Sequence, residues 1–142
     1  MTLTNEQMTL LDQILVQGYA VKIIPILGGK AEVTFNSMTA GDQLNVESYM
    51  KNIDGAPAFV VHTYSIKLLA QVLKAYHYIG KDVTLFKDAN EAETFIKGRP
   101  STIVDAMISA QGAFEKELGL LARMENLEEN FTPTPSPVAE PT

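Results

Sequence analysis

Two runs rich in β-branched residues, Tyr19–Leu27 and Ala31–Phe35, meet at Gly28-Gly29 in a chain whose remaining patterns are helical. Strand-like runs joined by a glycine pair read as a β-hairpin with a primed turn, because both glycines accept positive φ. Pro25 lies inside the first run and has no N–H to donate, so that strand is expected at a sheet edge. An isolated two-stranded hairpin is only marginally stable in water. It needs a helical face or another chain to cover it. The fold expected on that ground is α+β and mostly α: an N-terminal helix and β-hairpin, then a bundle of about four helices.

The helices are marked by their ends as well as by their period. Thr4-Asn5-Glu6-Gln7 is a capping box that opens a helix over 4–17. Met8, Leu11 and Leu15 follow at helical spacing, with Leu10 and Ile14 beside them and Gly18 as the stop. Thr39, with Asp42 three residues on, opens a second helix whose apolar side is Leu44, Val46, Tyr49, Met50 and Ile53. Asp54-Gly55 breaks it, and Pro57 suits the first turn of the next. That third helix is predicted over 57–79, with Val61, Tyr64 or Ser65, Leu68, Leu69, Val72, Leu73 and Tyr76 on its apolar face. Val83–Phe86 reads as a turn of strand or an extended link. Asp88 and Glu91 cap a short helix holding Ala92, Phe95 and Ile96, which stops at Gly98. Pro100 and Ser101 launch the last helix, to about Asn130. Its stripe is Val104, Met107, Ile108, Gln111, Phe114, Leu118, Leu121 and Met124 or Glu125, and Gly112 and Gly119 within it either permit close helix approach or weaken it. A length of 142 residues suits one domain, placed at 1–131 with the hairpin at about 19–36. Residues 132–142, with Pro133, Pro135, Pro137 and Pro141, read as a flexible proline-rich tail.

The composition removes whole classes of chemistry. There is no cysteine, which excludes disulfides, thiolate ligands and thiol nucleophiles. A net charge of -6, with Lys and Arg scattered and no basic stripe, argues against nucleic-acid binding. The longest apolar run, Ala56–Val61, is far too short to cross a bilayer, and Met1–Asn5 lacks the start of a secretory signal. Gly29-Lys30 is not a phosphate loop, because Ile24 stands where the leading glycine belongs and Ala31 where Ser or Thr belongs. His62 and His77, fifteen residues apart on one predicted helix, cannot share a metal. Glu115 and Glu117 lie on different helix faces, while Glu125, Glu128 and Glu129 read as a solvated acidic end or a docking surface for a basic partner. The expectation is a protein that is not an enzyme and uses no cofactor, metal or small-molecule substrate. Its candidate partner-binding residues are Tyr19, Val21, Ile23, Val33 and Phe35 of the hairpin, with Tyr76 and Tyr78 of the Tyr76-His77-Tyr78 cluster. The hairpin either adds a strand from a neighbour or packs on its own helices.

The order of elements carries a resemblance. A hairpin is followed by "SMTAGDQLNVESYMKN", "VVHTYSIKLLAQVLKAY", a short "EAETFIKGRP" and a final "TIVDAMISAQGAFEKELGLL" helix ending in "EENF". Over roughly residues 20–131 this resembles the small tail assembly chaperones and baseplate-hub assembly proteins of tailed bacteriophages. The pieces that carry it are Met38-Thr39-Ala40-Gly41-Asp42, the leucine-rich helix ending in Tyr76, and the helix finishing at Glu129-Asn130-Phe131. The resemblance implies an assembly factor of the host cytoplasm, binding a hub or tape-measure protein, or itself, until the tail tip is built. A structural virion component of baseplate, tail or neck, or a small regulatory adaptor, stand as alternatives.

Overall fold

The computed structural model describes residues 3–131, with side-chain surroundings through residue 123. In chain order the elements are α1 (Asn5–Gln17), β1 (Val21–Ile26), β2 (Ala31–Asn36), α2 (Ala40–Met50), α3 (Pro57–Val72), β3 (Leu73–Tyr78), β4 (Val83–Leu85), α4 (Ala89–Lys97) and α5 (Ser101–Phe131). The class is the one the hairpin demands, α+β and mostly α. Local signals set the helix starts. Thr4 accepts from the Gln7 N–H while the Gln7 side chain accepts from the Thr4 N–H, and Thr39 and Asp42 repeat that box at α2. Asp88 caps α4 by accepting from the Glu91 N–H at 2.9 Å. Gly18 closes α1 in the left-handed conformation, φ 89°, donating to the Ile14 carbonyl.

The hairpin forms, but with a longer turn than the glycine pair suggests. Ile26 pairs with Ala31, so four residues turn the chain rather than two. Leu27–Gly29 make a single 3-10 turn closed by the Lys30 N–H on the Leu27 carbonyl. Leu27 joins Gly28 and Gly29 at positive φ, 55°, which is a strained position for a leucine. Pro25 sits on an edge strand, as its missing N–H requires, since the sheet order is β1-β2-β3-β4.

The predicted helix over 57–79 is corrected by the structure. It ends at Val72, and residues 73–78 leave it directly as β3, antiparallel to β2. Leu73 already has extended angles (φ -75°, ψ 117°) while its N–H still donates to the Leu69 carbonyl. No glycine, proline or capping side chain marks the change. Leu69, Val72, Leu73 and Tyr76 satisfy a helical period, yet past the register shift at Thr34/Phe35 Tyr76 and Tyr78 alternate on the covered face with Ala75 and His77 on the other. The stretch is rich in strand formers, and the slot beside β2 decides between the two. β3 then turns through Gly80 (φ 92°) into β4, so the sheet has four strands and the hairpin is not alone.

The helices cover one face of the sheet. Ala31, Val33 and Phe35 point from β2 into a core with Leu10, Leu69, Ala70, Val72, Ala92 and Ile96, closed by Val104, Met107, Phe114 and Leu118 of α5. The α5 stripe is buried as its spacing predicts, including Gln111 and Leu121, except that Ile108 is half-buried. The N-terminal phases are not. α1 buries Leu10 and leaves Met8 and Leu15 exposed, α2 buries Val46 while Leu44 and Tyr49 are exposed, and Val61 of α3 faces outward. Met124, the acidic group Glu125, Glu128 and Glu129, and the tail 132–142 lie outside the described side chains.

Candidate functional site

The seven residues singled out from the sequence are divided by the sheet. Val33 and Phe35 are fully buried in the core, and Tyr76 is half-buried against Phe95 with ring centroids 5.0 Å apart. Val33 and Phe35 hold the fold and present no surface to a partner, and Tyr76 keeps only part of its ring exposed. The correction follows from register: Val33 pairs with Ile24 on one side and Tyr76 on the other, all on the covered face. Tyr19 and Val21 are half-buried, whereas Ile23 is 60% exposed and Tyr78 51%. Tyr76, His77 and Tyr78 lie on a strand and not at a helix end, so no helix dipole acts on His77. Its Nδ1 instead lies 3.6 Å from Glu32 on the neighbouring strand.

The opposite face of the sheet is the surface the sequence did not delineate. Register places Ile23, Thr34, Ala75 and Leu85 in one row across it, and Pro25, Glu32, His77 and Val83 in the next. Val83 is 50% and Leu85 73% exposed. An antiparallel sheet commonly turns a polar face to water. Here the Glu32–His77 pair is flanked by exposed apolar side chains instead.

The two sheet edges differ. Ser37 N–H donates to the Ala20 carbonyl and Ala20 N–H donates to Ser37 Oγ. Alternation along an antiparallel ladder then turns Lys22, Ile24 and Ile26 toward β2, and Val21, Ile23 and Pro25 outward. The Val21 N–H is taken by the Gln13 side chain at 2.8 Å, and Pro25 has none. The β1 edge is therefore blunted at both ends. On β4 the same reasoning gives the reverse. Phe86 N–H donates to the Lys74 carbonyl, so Val83 and Leu85 turn their N–H and C=O away from β3. Among the described residues no side chain donates to or accepts from those groups.

A second apolar surface lies where α2 meets α3. A cavity of about 380 Å³ is lined by Met50, Val60, Val61 and Tyr64 with Glu47 and Lys51, and Phe59 and Leu44 are exposed nearby. Polar groups elsewhere are engaged in holding the fold. Glu93 bridges Lys67 and Lys97 at 2.8 and 2.7 Å, and Lys67 also stands over the Tyr49 ring. Burial pushes the Glu93 carboxyl up, but hydrogen bonds from the two lysines outweigh it and hold the group below its ordinary range. Glu115 accepts from the Met38 N–H at 2.6 Å; burial raises its pKa, against that hydrogen bond. Lys22 reaches across to Glu117 at 2.9 Å. Among the described residues no three His, Cys, Asp or Glu side chains gather as a metal site, and no helix is long and apolar enough to cross a membrane.

No protein-family model matches this chain, and neither the curated proteins nor the solved structures contain a significant match to it.

Proposed function

We propose that this protein is a non-enzymatic assembly factor for the tail or baseplate hub of a tailed bacteriophage, holding another tail protein by surface contact. The observation that carries the contact mode is the uncovered sheet face, where Ile23, Val83 and Leu85 are each at least half exposed around Glu32 and His77. Exposed apolar side chains gathered on one face favour a protein partner. The assembly context comes from the resemblance of residues 20–131 alone. Binding of this kind is transient, because a partner covered during assembly must later be released.

Mass spectrometry of purified particles and of tail intermediates tests the reading. The chain is expected in intermediates together with a hub or tape-measure protein, and absent or scarce in finished particles. A fixed copy number in finished particles would assign it instead to the structure of the baseplate, tail or neck.

A further inference from the structure

Asp54 and Gly55 lie between α2 and α3 and form the one Asp-Gly pair in a chain that has no Asn-Gly. Both residues are exposed. Gly55 stands at φ 143°, a region that residues with a side chain rarely enter. A Cβ at that position would meet the Phe59 ring at 2.9 Å. The path from α2 into α3 therefore demands glycine after Asp54. Glycine is also the residue that least shields its own amide nitrogen from the carboxyl group before it. Among the described residues nothing accepts from the Gly55 N–H, and nothing donates to the Asp54 carboxyl.

The other acidic and amide side chains of the described loops and strands are held or shielded. Asn36-Ser37 has the next smallest following residue, but Ser37 is buried and its N–H donates to the Ala20 carbonyl at 2.7 Å. Asp42 and Asp88 spend their carboxylates on helix caps, while Asp12 and Asp105 lie inside helices that fix the next amide. Asn52 and Asp82 are followed by Ile53 and Val83, whose branched side chains crowd the amide.

We propose that Asp54 is a site of spontaneous backbone isomerisation, passing through a cyclic imide to isoaspartate. The Gly55 nitrogen attacks Asp54 Cγ. A new N–Cγ bond forms, the Cγ–OH bond breaks, and the amide proton leaves with that hydroxyl as water. A second water then adds to one of the two imide carbonyls. Opening at Cγ restores aspartate. Opening at the main-chain carbonyl leaves the chain running through Cβ and Cγ, with the old carbonyl carbon as a free carboxylate. The product adds one methylene to the link between the two helices that line the groove of Met50, Val60, Val61 and Tyr64.

The full chain is aged at physiological pH and temperature in heavy-oxygen water and then digested with trypsin. A synthetic Asn52–Lys67 peptide aged beside it sets the time scale. The Asn52–Lys67 fragment of the chain should yield a second chromatographic species that carries one heavy oxygen at residue 54. Electron-transfer fragmentation should cut the extra backbone carbon–carbon bond of that species. The Ala31–Lys51 fragment reports Asn36 in the same sample. Change at Asn36 should be at least about tenfold smaller, because a buried, bonded amide reacts only when the strand opens. Ageing in guanidinium chloride should narrow that gap. Asp54→Glu, an exposed change whose imide needs a larger ring, should remove the second species. An Asn52–Lys67 fragment that stays single after the free peptide has converted would overturn the proposal. So would an isomer without heavy oxygen, equal change at Asn36 in the folded chain, or a second species that persists in Asp54→Glu. None of these outcomes touches the assembly role, which stands on particle composition.

Discussion

Glu115 and Glu93 are both partly buried carboxylates, and their partners send them in opposite directions. Glu115 is raised by burial above the ordinary value of 4.5, with only the Met38 N–H to favour its charge. A raised carboxyl holds its proton more tightly folded than unfolded. The stability it provides is complete below the unfolded value and is lost as pH rises through the folded one. The melting temperature of Glu115→Gln relative to the parent should therefore be highest near pH 7 and fall as pH drops toward 4.5; a difference independent of pH would contradict this. Glu115→Leu strands the Met38 amide and should cost about 1 kcal/mol in urea unfolding at pH 7. Glu93 runs the other way: lowered by its two lysines, it contributes stability above 4.5 that is lost as pH falls through its depressed value. Glu93→Ala should cost about 1.5 kcal/mol through the half-buried Lys67, whereas Lys97→Ala on the exposed side should stay within about 0.5 kcal/mol. Urea titrations of the two variants check that asymmetry.

Among the elements, α3 and α5 anchor the core and the sheet shows how local patterns can mislead. Leu69 is 1% exposed in the last turn of α3, so Leu69→Asp should unfold the protein, and Phe114→Ala in α5 should cost about 3–5 kcal/mol. A Leu69→Asp melt like the parent's would place that face of α3 in water. The capping box at Thr4, the Thr39 and Asp88 caps, the Gly18 stop and most of the α5 stripe were legible because each is settled within four residues or by a sustained period. The passage from α3 to β3 was not, since Val72-Leu73 carries no stop signal and Tyr76 fits both periods. The phases of α1 and α2 were missed for a related reason: both are short helices with apolar residues on several sides, and only packing chooses which side is buried. The candidate surface was half legible. Ile23 lies exposed on the open face, while Tyr78 is exposed but pairs with Ala31 on the covered one; Val33 and Phe35 could be placed only once β2 was known to be central, and Val83 and Leu85 only once β4 was known to be an edge.

At the scale of the molecule, an acidic α+β domain with a net charge of -6 covers one face of a four-stranded sheet and leaves the other open. One edge is closed by Gln13 and Pro25, and the other is left with its main-chain groups pointing outward. That asymmetry leaves one edge of the sheet open to main-chain pairing and blunts the other. Residue-resolved amide exchange on the free chain reads it most directly. The Val83 and Leu85 amides should exchange at nearly unprotected rates while Thr84 and Phe86, bonded to β3, are slowed at least about tenfold more. Equal protection of all four amides in the free chain would contradict it and mean that the β4 edge is already filled.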